Sequence, residues 1–116
     1  MVKFVKGFKA AWTGLRETII KERNFKIMLV AAVAVIFLMF YFPTTKFEKV
    51  GLLVAVFSVL TIELMNSTLE RIMNFLHPEP DERIRVIKDL SAAIVLFASI
   101  GAAFIGTVVF WPYIFH

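Results

Sequence analysis

The sequence predicts an all-α integral membrane protein with an N-terminal amphipathic interfacial helix and three transmembrane helices. Three observations lead there. Of the 116 residues 59% are hydrophobic and mean hydropathy is +0.80, more apolar surface than a soluble domain this small can cover. The excess is gathered into three stretches: about Ile27 to Phe42, Val50 into the region of Leu76, and Leu90 to Ile114. Each is near the length of roughly 20 residues that a helix needs to cross a bilayer. In hydrocarbon the backbone must satisfy its own hydrogen bonds, so these stretches are helices and not strands.

A chain of this length has room for one domain, 1–116. Residues 1–25 make the interfacial helix. Phe4, Phe8, Ala11, Trp12, Leu15 and Ile19 recur at three- and four-residue spacing, with Lys6, Lys9, Thr13 and Arg16 opposite them. Aromatic residues on one face and basic ones on the other suit a helix lying in the membrane surface. Gly7 and Gly14 lower its intrinsic propensity. At 100° per residue Glu22 falls in line with Phe4 and Leu15. Either the helix has ended or turned by then, or Glu22 is a carboxylate that faces inward.

The transmembrane helices are expected over 26–43, 47–76 and 89–114. The basic region ahead of the first is long, holds Glu17 and Glu22, and is not followed by a small-residue cleavage site; it reads as an uncleaved span. Pro43, Thr44 and Thr45 end that span in a short outer loop, and Pro78 and Pro80 break the chain after the second. His77 to Lys88 are expected to form a charged cytoplasmic connection. In the third span Ala98, Ala102 and Gly106 place a small residue at every fourth position, a stripe that lets helix backbones approach.

Orientation follows from the cations. Lys3, Lys6, Lys9, Arg16, Lys21, Arg23 and Lys26 come before the first apolar run, and Arg83, Arg85 and Lys88 follow the second span. Only Lys46 and Lys49 lie between. The positive-inside rule then puts the N-terminus and the 77–88 loop in the cytoplasm and the C-terminus outside. The net charge of +4 fits this topology and contact with anionic lipid; nothing points to nucleic acid. With no cysteine there is no disulfide and no thiolate metal site. The two histidines, His77 and His116, are too far apart in sequence to suggest a histidine metal site.

Chemistry is concentrated in the second span. Glu63, Asn66, Glu70 and Asn74 stand at offsets of 0, 3, 7 and 11. On a helical wheel these fall at about 0°, 300°, 340° and 20°, with Ser67 at about 40°, which makes one polar stripe. An acid deep in a span costs about 2.5–3.5 kcal/mol on insertion scales, so two on one face imply a use. Such a stripe can also serve as glue between helices, with Arg71 neutralising a neighbour. The two acids are separated by roughly 10 Å along the axis, too far to share one metal ion or one proton directly. Glu70, nearer the cytoplasm, is placed for a soluble ligand and Glu63 for one that lives in the lipid. No G-x-x-x-x-G-K-[ST] loop, G-x-G-x-x-G turn or H-E-x-x-H motif is present, so a nucleotide here is held by something other than a P-loop.

The run Glu63-Leu-Met-Asn66-Ser67-Thr-Leu-Glu70, then Lys88-Asp89 and Ser91-Ala92-Ala93, resembles the prokaryotic diacylglycerol kinase family, which also contains the undecaprenol kinases. That family's signature is E-x-x-N-[ST]-A-I-E-x-x-x-D, followed by K-D and a small-residue run. Phe8-Lys-Ala-Ala-Trp12-Thr-Gly14-Leu-Arg16 and Glu22-Arg23-Asn24-Phe25 are similar to its N-terminal half, so the resemblance spans nearly the whole chain.

The resemblance implies a bacterial inner-membrane enzyme that transfers the γ-phosphate of ATP, with Mg2+, to a lipid primary hydroxyl. Diacylglycerol and undecaprenol are the two acceptors in question. It also implies a homotrimer of three-span subunits with active sites at subunit interfaces. Glu63 then corresponds to the general base and Asn66 to a residue that orients the site. Glu22 and Glu70 correspond to the carboxylates that hold magnesium–ATP, and Lys88 and Asp89 to nucleotide contacts, with Glu79 a further candidate. Trp12 and Arg16 lie where the interfacial helix borders the lipid substrate.

These roles suit phosphoryl transfer, which needs in-line positioning, charge neutralisation at the phosphates and a proton acceptor. Carboxylates are the right ligands for magnesium and Lys88 is a point charge for phosphate. The chain departs from the pattern at Asn74, where the family has Asp, at Thr68-Leu69 in place of Ala-Ile, and in the 78–82 loop, which lacks E-Y-H. Glu22-Arg23-Asn24-Phe25 looks more like the undecaprenol kinase branch, whereas Asn66-Ser67 also occurs among diacylglycerol kinases. Two other readings compete. One is a small proton-coupled transporter with Glu63 as proton carrier, and the other is a catalytically silent family member, suggested by Asn74.

Overall fold

The computed structural model describes residues 2–115; His116 and Met1 lie outside the described residues. The chain forms four helices, α1 (Val2–Lys21), α2 (Arg23–Tyr41), α3 (Lys46–Leu76) and α4 (Glu82–Ile114). The last three are each long and apolar enough to cross a membrane. The four helices together span 54 × 43 × 21 Å, with α3 lying along α4 and, less extensively, along α2.

A single residue, Glu22, separates α1 from α2. It has extended backbone angles (φ −104°, ψ 114°) and serves as the N-cap of α2. Hydrogen bonding runs through the break, from Glu22 N–H to Thr18 O at 2.9 Å and from Lys26 N–H to Glu22 O at 3.2 Å. The backbone N–H and C=O of the break residue itself are therefore both satisfied. Thr18 and Phe25 are buried on either side of it. Both sequence alternatives for Glu22 are thus realised together: the first helix has ended, and the carboxylate faces inward.

At the opposite end of α2 the turn into α3 is tied by side chains. The Thr44 hydroxyl donates to Met39 O at 2.8 Å. Thr45 and Glu48 form a reciprocal capping box at the start of α3, which satisfies two otherwise orphaned helix-end donors. The Tyr113 hydroxyl near the end of α4 donates to Glu48 Oε1 at 2.6 Å, and its ring stacks on Phe42 at 5.7 Å. Met39, Leu52, Val109 and Phe110 form the buried apolar cluster beside this knot. The apolar core therefore sits at the end of the bundle where α2 turns into α3, which leaves the polar half of α3 at the other end.

Large apolar side chains remain exposed along every helix; Phe97 is 80% exposed. In hydrocarbon this incurs no penalty, because lipid tails are as apolar as the side chains. Of the small-residue stripe, Ala102 borders an apolar hollow of about 200 Å³ shared by α2, α3 and α4. A Cβ at Gly106 would meet nothing within 4 Å, so the close backbone approach that the stripe permits is not made there within one chain.

The connection expected over 77–88 is mostly helix. Only His77 to Asp81 lie outside α3 and α4. Asp81 starts α4 as its N-cap by accepting from Arg83 N–H at 2.8 Å. Arg85 then braces the first turns, bonding Glu82 and, at 2.6 Å, Asp89. A side-chain cap and paired charges three and four residues apart support a helix well beyond its apolar stretch.

Candidate active site

Two polar centres lie toward the ends of α2 to α4 that are away from the apolar cluster. The deeper one is built on α3. Glu63 is 5% exposed and Ser67, one turn on, is 6% exposed. The break between α1 and α2 swings Glu22 against this face. The Ser67 hydroxyl donates to Glu22 Oε2, and the Arg71 guanidinium donates to Glu22 Oε1 at 3.1 Å. Ser67 stands one turn from both Glu63 and Glu70 on α3, so Glu22, fastened to it, brings a carboxylate from a second segment to the face that carries the two α3 acids.

Glu63 differs from Glu22 in having no hydrogen-bond or ion-pair partner among the described residues. No buried side-chain oxygen or nitrogen there is sealed off without a partner, so its oxygens remain reachable. A buried, unpaired and reachable carboxylate in an apolar helix is costly. It is also free to take a proton from a group that approaches it. Asn66 stands on the other flank of the stripe. Its Oδ1 accepts from the hydroxyl of the buried Ser91 on α4 at 2.6 Å, which commits the amide oxygen and leaves the NH2 to donate. Glu70 is exposed and has no ion-pair partner among the described residues.

The second centre is a cleft of about 520 Å³ between the end of α3, the His77–Asp81 connection and the first turns of α4. Lys88 reaches across it to donate to Asn74 Oδ1. Asp89 is engaged by Arg85, so Lys88 is a cation of this cleft that no carboxylate pairs with among the described residues. Glu79 is exposed on the rim, and its main-chain oxygen lies 2.9 Å from His77 Nδ1. His77 Nε2 in turn stands 3.6 Å from Asp81.

The Asp81 carboxyl is held below its ordinary value of 3.8, first by the Arg83 backbone N–H and then by the Arg83 guanidinium. A lowered folded-state value means that Asp81 stabilises the fold at neutral pH and loses this contribution as pH falls through that value. Replacement of Asp81 by alanine should therefore lower the thermal midpoint at pH 7. The difference from the parent should shrink below about pH 4; an undiminished gap at acid pH would argue against the cap.

Trp12 and Arg16 are both exposed on α1, and no hydrogen bond or ion pair ties Arg16 to either centre among the described residues. The residues singled out by sequence thus fall into three places: Glu22, Glu63, Asn66 and Glu70 around α3; Glu79, Lys88 and Asp89 at the cleft; Trp12 and Arg16 on α1. Sequence spacing missed the partners. Ser67 and Arg71 meet Glu22 from 45 and 49 positions away. The polar stripe marks Ser67, but no pattern within one helix reveals what another helix brings to it.

Among the described residues no three His, Cys, Asp or Glu side chains are gathered so as to hold a metal ion. Magnesium takes hard oxygen donors and is often held by one or two carboxylates together with substrate phosphates. Glu22 and Glu70 are donors of that type. Their number fits an ion shared with a nucleotide and not a cage made by the protein alone.

The family model for prokaryotic diacylglycerol kinase matches residues 9–110, most of the chain. The undecaprenol kinase of Bacillus subtilis (strain 168) is 26% identical over 110 residues, covering 95% of this chain and 89% of that one. The diacylglycerol kinase of Escherichia coli (strain K12) is also 26% identical, over 111 residues, covering 96% and 91%. A diacylglycerol kinase from Synechocystis is 28% identical over 106 residues, covering 90% of this chain and 61% of the longer relative. With its buried acid on the second of three apolar helices and a family match that runs from within α1 to Phe110 in α4, this chain belongs to the prokaryotic diacylglycerol kinase family.

Proposed function

We propose that this protein is an integral membrane lipid kinase that transfers the γ-phosphate of ATP to the primary hydroxyl of a lipid, diacylglycerol or undecaprenol. The observation that carries the reading is Glu63, a buried carboxylate unpaired among the described residues, with Glu22 brought to the same face of α3. A helix that merely carries protons needs one acid. It does not need a second carboxylate folded back onto it and fastened by Ser67.

In this reading the lipid hydroxyl enters beside α3 and gives its proton to Glu63 as its oxygen attacks the γ-phosphorus. The bond to the bridging oxygen breaks and ADP leaves. Asn66, its amide oxygen committed to Ser91, offers its NH2 to the reacting groups. Glu22 and Glu70 would hold magnesium together with the phosphates of the nucleotide, and the ion would neutralise phosphate charge. Lys88 and Asp89 bind the nucleotide from the start of α4, with Glu79 on the rim of the same cleft. Trp12 and Arg16 border the lipid, with α1 lying in the membrane surface. The N-terminus and the His77–Asp81 connection face the cytoplasm, where ATP is supplied. The active form is a homotrimer in which Glu70, exposed on a single chain, faces a neighbouring copy.

Purified protein in detergent, given ATP, magnesium and either diacylglycerol or undecaprenol, should phosphorylate at least one of the two. The better substrate identifies the acceptor. Absence of transfer to both lipids, from a folded protein, would sink the kinase reading in favour of a silent family member.

A further inference from the structure

Among the described residues Glu22 is the one acid of the α3 cluster that already carries a cation. Its Oε1 receives the Arg71 guanidinium at 3.1 Å, while its Oε2 receives the neutral hydroxyl of buried Ser67. The two partners differ in how firmly they are held. Ser67 is fixed in the helix packing, whereas the Arg71 side chain is 52% exposed against 25% for Glu22. Arg71 also directly follows Glu70 in sequence, yet the pair it makes is with Glu22 on another segment. Arg23, covalently next to Glu22, makes no such pair among the described residues.

We propose that Arg71 is a resident counter-ion that competes with a divalent cation for Glu22, so that the cation binds only as the guanidinium leaves. This rests on the reading of Glu22 as a metal-holding carboxylate and adds a residue that regulates it. The physical case is one of charge. Three carboxylates in one neighbourhood repel each other, and a guanidinium on one of them relieves that repulsion while the site has no other cation. The same guanidinium repels an incoming divalent ion and occupies the oxygen that the ion needs. Arg71 is exposed enough to swing into water at modest cost. Ser67 meanwhile keeps Glu22 turned toward α3 after Arg71 has gone. The pair therefore holds the carboxylate in place before the cation arrives, at the expense of cation affinity.

The test measures Mn2+ binding to the full chain in detergent with a non-hydrolysable ATP analogue and without lipid, following protein-bound Mn2+ by its enhancement of water-proton relaxation. Arg71→Gln should tighten Mn2+ by about fivefold, the upper range for release from an exposed pair. Arg23→Gln removes a nearby charge without removing the pair and should change the affinity by less than about twofold, because unpaired surface charges are screened. Glu22→Gln should weaken binding by about tenfold or more. Unchanged or weaker binding in Arg71→Gln, with Glu22→Gln impaired, overturns the counter-ion role and leaves Glu22 as a ligand. Equal tightening in Arg23→Gln overturns it as well, since general charge and not the pair would then be responsible. If Glu22→Gln binds as the parent does, the metal reading of Glu22 fails and the proposal fails with it.

Discussion

Glu63→Gln is expected to reduce kcat for lipid phosphorylation by about 10²- to 10⁴-fold, the span that a positioned general base contributes. Glutamine keeps the size and most of the shape of glutamate, so packing within α3 is preserved. What is lost is the ability to receive the hydroxyl's proton. The KM for ATP should hardly move, because in the proposed arrangement the nucleotide is held by Glu22, Glu70 and Lys88. Thermal stability should stay level or rise. Glu63 is buried and has no partner among the described residues, and a neutral amide costs less to bury than a carboxylate. A variant that is more stable and nearly inactive would separate the catalytic cost from any structural one. Substantial turnover by Glu63→Gln would show that the proton goes elsewhere and return the α3 stripe to a packing role.

Lys88→Met should raise the KM for ATP by about tenfold to a hundredfold, the loss expected when a charge-assisted hydrogen bond to phosphate is removed. The effect should be larger on KM than on kcat if Lys88 holds the nucleotide equally in the ground and transition states. The structure supplies a reason to choose this lysine. Arg85 is already committed to Glu82 and Asp89, whereas Lys88 bonds only the neutral oxygen of Asn74 among the described residues and so keeps its charge for a ligand. Asn74 also bears on the silent-homologue reading, because the amide supplies the acceptor oxygen that Lys88 needs. Asn74→Asp should accordingly shift the KM for ATP by no more than about fivefold, the range of an exposed ion pair. Activity that appears only in Asn74→Asp would favour the silent reading. An unaltered KM in Lys88→Met would place the phosphates away from the cleft.

Several features were legible from the residues because they are local. Hydropathy and length mark the apolar helices. The three- and four-residue spacing of Glu63, Asn66, Glu70 and Asn74 draws the polar stripe on α3, and the family signature points to the same residues. Other features were read only in part. The charged segment after Pro80 looked like a loop because it lies beyond the apolar run, yet a cap at Asp81 and the bracing of Arg85 make it the start of α4. At Glu22 the wheel could state two alternatives without deciding between them.

The sequence by itself determined the helical membrane class and the one helix on which acids are concentrated, since both depend on hydrophobic period and on backbone hydrogen bonding within a segment. Only the tertiary structure decided which acid is paired and which is not. Arg71 goes to Glu22 and not to its neighbour Glu70, Ser91 takes up the oxygen of Asn66, and Glu63 is left buried without a partner among the described residues. Those outcomes depend on where a one-residue break turns the chain and on which helices meet. A polar side chain's partner is set by distance in space, and spacing along one helix carries no information about a residue 49 positions away.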